Sequence, residues 1–231
     1  MSLPAAITLH RFDNRQACAE ALAAHLASQL RQDLKWNQQA SLILSGGSTP
    51  IPMFEALSRE ELDWSRVLVS LADDRWLPPQ HADSNQGKVE QHLLQNHARA
   101  ARWIPLWNPA QHTDEALGRC REQLRQLPSQ LSAVVLGMGN DGHTASLFPC
   151  SEELASVWDS REDCEWVTPT SAPWTRMTLT PQRLLASAER ILHLTGADKL
   201  DTLSRALAGN NRDDMPIRHF FQQDLRIFWA P

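Results

Sequence analysis

The chain carries 231 residues, 42% of them hydrophobic and 21% charged, with a formal net charge of -5. This length and apolar content suit one α/β domain with a full core, and residues 1–231 are expected to form a single domain. Weak acidity without a Lys/Arg-rich run argues against nucleic acid as a partner, and an anionic ligand needs a local cationic site because the overall field does not attract it.

At the start, "MSLPAAITLHRFDNRQ" lacks a basic stretch followed by an apolar core, and no later apolar run reaches bilayer-spanning length. A cytoplasmic protein away from membranes is the expectation. Leu22, Leu26, Leu30 and Leu34 recur every four residues behind Asp13, which with Gln16 three positions on predicts a capped amphipathic helix over 14–35. "SLILS" (41–45), read as the first strand of the core, stops at Gly46-Gly47, and a helix restarts over 51–57. A strand over 66–72, a helix over 84–96 with Ser84 as its cap, and a helix over 114–127 follow. "SAVVLGM" (132–138) is the most apolar strand. "RMTLTP" (176–181) predicts a strand stopped by Pro181, then the helical "QRLLASAERI", a strand over 190–196, a helix over 198–209 and a strand over 225–230. Such alternation means an α/β sandwich: a mostly parallel sheet with helices on both faces and ligands beyond the carboxyl ends of its strands.

Cys18, Cys120, Cys150 and Cys164 are scattered without a Cys-x-x-Cys pair, so they read as reduced thiols rather than disulfide or zinc ligands. His92 and His97 are five apart and no His-Glu-x-x-His occurs, so the histidines do not suggest a metal site.

Three segments at predicted strand ends carry chemistry. "SGGSTP" (45–50) lies between a strand and a helix, where backbone amides and the Ser48 and Thr49 hydroxyls suit a phosphate cradle; a plain Gly-Gly turn with a Ser or Thr cap is an equal reading. It lacks the Gly-Lys-Ser/Thr of a Walker loop and the Gly-x-Ser-x-Gly of a nucleophile elbow. In "LADDRW", Asp73, Asp74 and Arg75 follow a strand, where two carboxylates could position a base or bind sugar hydroxyls and Arg75 could face an oxyanion; a solvated charged turn is the commoner fate of such a triplet. "GMGNDGHTASLFP" (137–149) satisfies Gly-x-Gly-x-x-Gly, but it comes late in the chain and Pro149 follows too soon for a long crossover helix, which disfavours a dinucleotide. Its glycines instead leave open backbone around His143, with Asp141 two residues away.

Together these segments resemble the 6-phosphogluconolactonase family, within the wider glucosamine-6-phosphate isomerase/6-phosphogluconolactonase superfamily. "GGSTP", "DDRWLPPQHADSN", "GMGNDGHTASLFP" and "RMTLTP" occur in family order, and "GADK" (196–199) is similar to the family's later Gly-x-x-Lys element. "HTASLFP" resembles the lactonase branch rather than the isomerase branch. Asp74 departs from the pattern, since the family usually has Glu there.

The resemblance implies a Rossmann-like α/β sandwich that hydrolyses 6-phospho-D-glucono-1,5-lactone without metal or organic cofactor. His143 matches the family's proposed catalytic residue. On that basis His143 takes a proton from the water that attacks C1, and Arg75 or glycine-loop amides meet the oxyanion. Asp141 or Asp73 orients the ring, as a carboxylate does in other histidine-based sites. Gly46, Gly47, Ser48 and Thr49 would cradle the phosphate, with Arg176 and Lys199 carried over as its cations. An amino-sugar-phosphate isomerase or deaminase and a non-catalytic sugar-phosphate sensor are the rival readings. A monomer or weak homo-oligomer is expected, and the weakly periodic 150–175 segment, with Trp158, Trp166 and Trp174, has room for a lid.

Overall fold

Seven parallel strands form the central sheet of the computed structural model, which describes residues 3–110 and 112–231. Its first half comprises β1 (Ile7–Arg11), α1 (Arg15–Trp36), β2 (Ala40–Leu44), α2 (Ile51–Ser58), β3 (Val67–Leu71), β4 (Asp73–Arg75), α3 (Asn85–His92), β5 (Arg102–Trp103) and α4 (Thr113–Leu124). The second half adds β6 (Leu131–Leu136), α5 (Leu154–Asp159), β7 (Cys164–Val167), β8 (Arg176–Leu179), α6 (Pro181–Leu185), β9 (Ser187–Thr195), α7 (Ala197–Leu207) and β10 (Leu225–Ala230).

The sheet order is β1-β10-β9-β6-β2-β3-β5, and every pairing in it is parallel. β2, β3 and β6 are buried at every position, as central strands covered on both faces must be. From β2 the chain builds outward through β3 to β5; it then crosses back to place β6 on the other side of β2 and continues through β9 to β10. The β2/β6 boundary is therefore the topological switch point, where an open α/β sheet leaves a crevice at the strands' carboxyl ends.

A second sheet of three antiparallel strands, β4-β8-β7, stands beside that crevice. The "RMTLTP" strand belongs to this small sheet rather than to the parallel one. Its register sets Asp73 opposite Thr178 and Arg75 opposite Arg176.

Four local expectations are corrected. Asn14, not Asp13, caps α1: its side chain accepts from the Ala17 amide at 2.9 Å, whereas Asp13 lies one residue too far from that donor. The sheet begins at β1 and not at residue 41, because Ile7–Arg11 pairs with β10 along its whole length. The helix expected over 84–96 stops at His92, and a separate 3-10 turn covers Asn96–Ala100. Only Pro181–Leu185 of the segment before residue 191 is helical; from Ser187 onward the backbone pairs with β6, and sheet pairing overrides the helix propensity of Ala188 and Glu189. Ser84 caps α3 as expected, accepting from the Gly87 amide.

One continuous apolar cluster joins the sheet to its helices, from Leu22 and Leu26 of α1 through Leu42 and Val134 to Ile227. No helix among the described residues is long and apolar enough to cross a membrane.

Candidate active site

A cavity of about 250 Å³ opens at the switch point, lined by the residues that follow β2, β6 and β9. Gly46, Gly47 and Thr49 come from the first of these loops, Gly139 and His143 from the second, and Lys199 from the start of α7. Asp73, Arg75 and Arg176 reach it from the small sheet. Three sequence segments and two single residues far apart in the chain thus converge on one space.

His143 is held by Asp141. Its Nδ1 lies 2.6 Å from Asp141 Oδ1, and the same oxygen accepts the His143 backbone N–H at 3.1 Å. An ionised carboxylate can only accept, so the shared proton sits on Nδ1 and Nε2 keeps its lone pair. Partial burial raises the Asp141 carboxyl, but the hydrogen bond and charge of His143 outweigh that and leave it below the usual carboxylate range. The ring of Phe148 stacks on the imidazole at 4.1 Å between centroids. A Cβ at Gly139 would lie 2.2 Å from the His143 ring, so only glycine lets the loop pass so close beneath it. The loop is fixed further by Thr144 Oγ1 donating to Gly137 O at 2.8 Å and by Arg205 donating to Asn140 O at 2.8 Å.

The two adjacent aspartates separate because side chains alternate along a strand. Asp73 points toward the cavity, accepts from Ser146 Oγ at 2.5 Å and lies 4.0 Å from the Arg176 guanidinium; both partners of that pair are buried. Asp74 points the other way, into the start of α3, where it accepts from the amides of Arg75 and Asn85 at 2.7 Å and of Gln86 at 2.9 Å. Burial pushes the Asp74 carboxyl up to about 6 against the pull of those donors. Asp74 is thus a helix-capping carboxylate, and Asp141 rather than Asp73 orients the imidazole.

Arg75 and Arg176 face each other across β4 and β8. Like charges directly opposite repel, and the Asp73 carboxylate 4.0 Å from Arg176 opposes part of that repulsion. Arg75 Nη1 donates to Asn85 Oδ1 and Asp83 O at 2.8 Å, while its buried Nε has no hydrogen-bond partner. Arg176 is tied by Trp174 O at 3.3 Å and Pro173 O at 3.2 Å, and burial lowers its pKa. Lys199 Nζ donates to Asn140 Oδ1, which keeps it at the cavity's edge. Thr49 Oγ1 lies 3.4 Å from Thr195 Oγ1.

Of the residues singled out in the sequence, Ser48 and Asp141 are exposed and do not line the cavity, Asp141 reaching it only through the His143 ring; Ser48 does not cap α2, whose first turn has no side-chain cap. Sequence reasoning missed Asn85, which bonds both Arg75 and Asp73 O and which a Cβ at Gly46 would strike at 2.0 Å. It also missed Ser146, Thr195 and His193. No group of three or more His, Cys, Asp or Glu among the described residues is placed to hold a metal ion.

Residues 13–229 match the model of the glucosamine-6-phosphate isomerases/6-phosphogluconolactonase family. A 6-phosphogluconolactonase of Pseudomonas aeruginosa is 44% identical over 234 residues, covering 100% of this chain and 98% of the relative. A crystal structure of a 6-phosphogluconolactonase from Shewanella baltica superposes with a TM-score of 0.96 at 37% identity, covering 100% of both chains. A monomeric glucosamine-6-phosphate deaminase shares the fold, with a TM-score of 0.81 at 18% identity, and covers 96% of this chain and 97% of its own. The chain belongs to the glucosamine-6-phosphate isomerase/6-phosphogluconolactonase family.

Proposed function

We propose that this chain, acting as a single cytoplasmic domain, hydrolyses 6-phospho-D-glucono-1,5-lactone to 6-phospho-D-gluconate, the second step of the oxidative pentose phosphate pathway. The curated relatives favour this reaction over isomerisation or deamination of an amino sugar phosphate. The observation that carries the mechanism is the 2.6 Å Asp141–His143 pair, whose imidazole lines a cavity with Thr49, Arg176 and Lys199.

A δ-lactone is an activated ester, so one base and a few donors supply the acceleration it needs. Water attacks C1 while His143 Nε2 takes its proton, a role typically contributing about 10²- to 10⁴-fold. Asp141 steadies the imidazolium that forms. Arg75 and the amides of the glycine loop meet the developing oxyanion. The bond from C1 to the ring oxygen then breaks, and His143 returns its proton to that oxygen, giving the open-chain hydroxy acid. At the other end, Gly46, Gly47 and Thr49 with Arg176 and Lys199 grip the phosphate, whose binding energy fixes C1 against the base. Asp73 holds Arg176 in place and offers the sugar an acceptor.

The test is the rate of acid release from freshly prepared phosphorylated lactone, with spontaneous opening subtracted. Arg176→Ala is expected to raise KM at least tenfold. No excess acid release by the parent, or an unchanged KM in the variant, overturns the reaction or the phosphate assignment respectively.

A further inference from the structure

A second cavity of about 280 Å³ lies on the outer flank of His143, lined by Arg75, Asp83, Phe148, Trp174 and Arg176. The mechanism above uses none of its outer wall. That wall is Trp174, which is 44% exposed although it sits beside the buried Arg176. Its backbone has φ +70°, a left-handed conformation that a bulky side chain rarely adopts. Strain of this kind persists where the surroundings hold it, and it concentrates at ligand clamps. Here the holding contacts are visible. Trp174 Nε1 donates to Asp83 Oδ2 at 3.1 Å, the His81 ring packs edge-on at 5.3 Å, and the Trp174 carbonyl accepts from Arg176.

The chain therefore keeps a strained, solvent-facing aromatic ring at the mouth of a compartment whose inner side is the candidate base. A large amphipathic ring, with its polar edge already bonded, offers its apolar face to a ligand. Resting on the functional reading above, we infer that Trp174 is a sugar-binding residue: the C–H face of the lactone ring lies against the indole while the phosphate is gripped in the inner cavity. Asp83, at the same wall, gives the ring hydroxyls an acceptor. The two arginines and His143 border both compartments, so a substrate spanning them presents C1 at the shared boundary.

Trp174→Gly separates this role from a structural one. Glycine accepts the left-handed backbone without strain and retains the carbonyl that holds Arg176, so the fold should keep its Tm or gain slightly. Loss of a contact made equally to substrate and transition state raises KM and leaves kcat within about twofold. The expected rise in KM is about tenfold, equivalent to about 1.4 kcal/mol, and Trp174→Phe should recover most of it. Inhibition by inorganic phosphate, which reports only the inner cavity, should be the same in Trp174→Gly and the parent. A KM unchanged in Trp174→Gly overturns the inference, as does phosphate inhibition weakened in parallel with KM. A parent that does not open the lactone removes the functional reading itself, which the parent assay alone reveals.

Discussion

The loop after β6 and the end of β9 border the same cavity, and each contributes an imidazole, yet the two rings are in opposite conditions. His143 is partly exposed, bonded to a carboxylate at 2.6 Å and stacked on Phe148. His193 is sealed in the strand with neither ring nitrogen hydrogen-bonded, and burial lowers its pKa to about 4. A residue type therefore does not define a proton-transfer group; its environment does. The unpaired, buried His193 ring is locked neutral near pH 7, whereas His143 keeps a carboxylate partner and access to solvent.

The sharpest way to break this contrast is to remove each ring. His143→Asn is expected to lower kcat about 10³-fold, within the range for losing a general base, while His193→Asn should leave kcat within a few-fold. Steady-state kinetics on the lactone checks both, and equal losses would erase the distinction. Next comes the tether: Asp141→Asn should reduce kcat about 10²-fold by disturbing the tautomer and orientation of His143, with KM little changed. Smaller again is Gly139→Ala, whose Cβ must displace the ring from 2.2 Å; a misplaced base is expected to cost about tenfold or more in kcat. A kcat equal to the parent's would show that the close approach does not position the ring.

The least visible effect concerns stability alone. The unfolded chain protonates His193 near pH 6.5, but the folded chain does so only near 4, so folding excludes a proton between those values. Stability is therefore lost as pH falls through that window, by roughly 3 kcal/mol for the whole shift. Urea unfolding at pH 7 and pH 4.5 should show a smaller acid loss in His193→Leu than in the parent. Identical losses would mean that other groups set the acid response.

Much of the fold was legible because central strands of a parallel sheet are continuous apolar runs, as at Leu42–Leu44 and Val134–Leu136. β1 escaped notice because an edge strand, "ITLHR", is only partly buried and its partner lies at the other end of the chain. The segment from Ser187 was misread because its residues favour a helix locally, and only pairing with Leu131–Leu136 decides otherwise. In the site, His143, Asp141 and the glycine loops stood out since their spacing is local. Asn85, Ser146, Thr195 and His193 did not, because each gains meaning only from a partner or cavity wall assembled by the fold. The split between Asp73 and Asp74 was within reach: recognising "DDR" as a strand assigns neighbours to opposite faces.

The pairing of Ile7 with Leu225 means that the first of the described strands waits for the last of them before its hydrogen bonds can close. During translation Ile7–Arg11 has no native neighbour, and its exposed amides and carbonyls are open to mispairing with other nascent chains. The edge of the sheet at β1 therefore closes only once both segments are made.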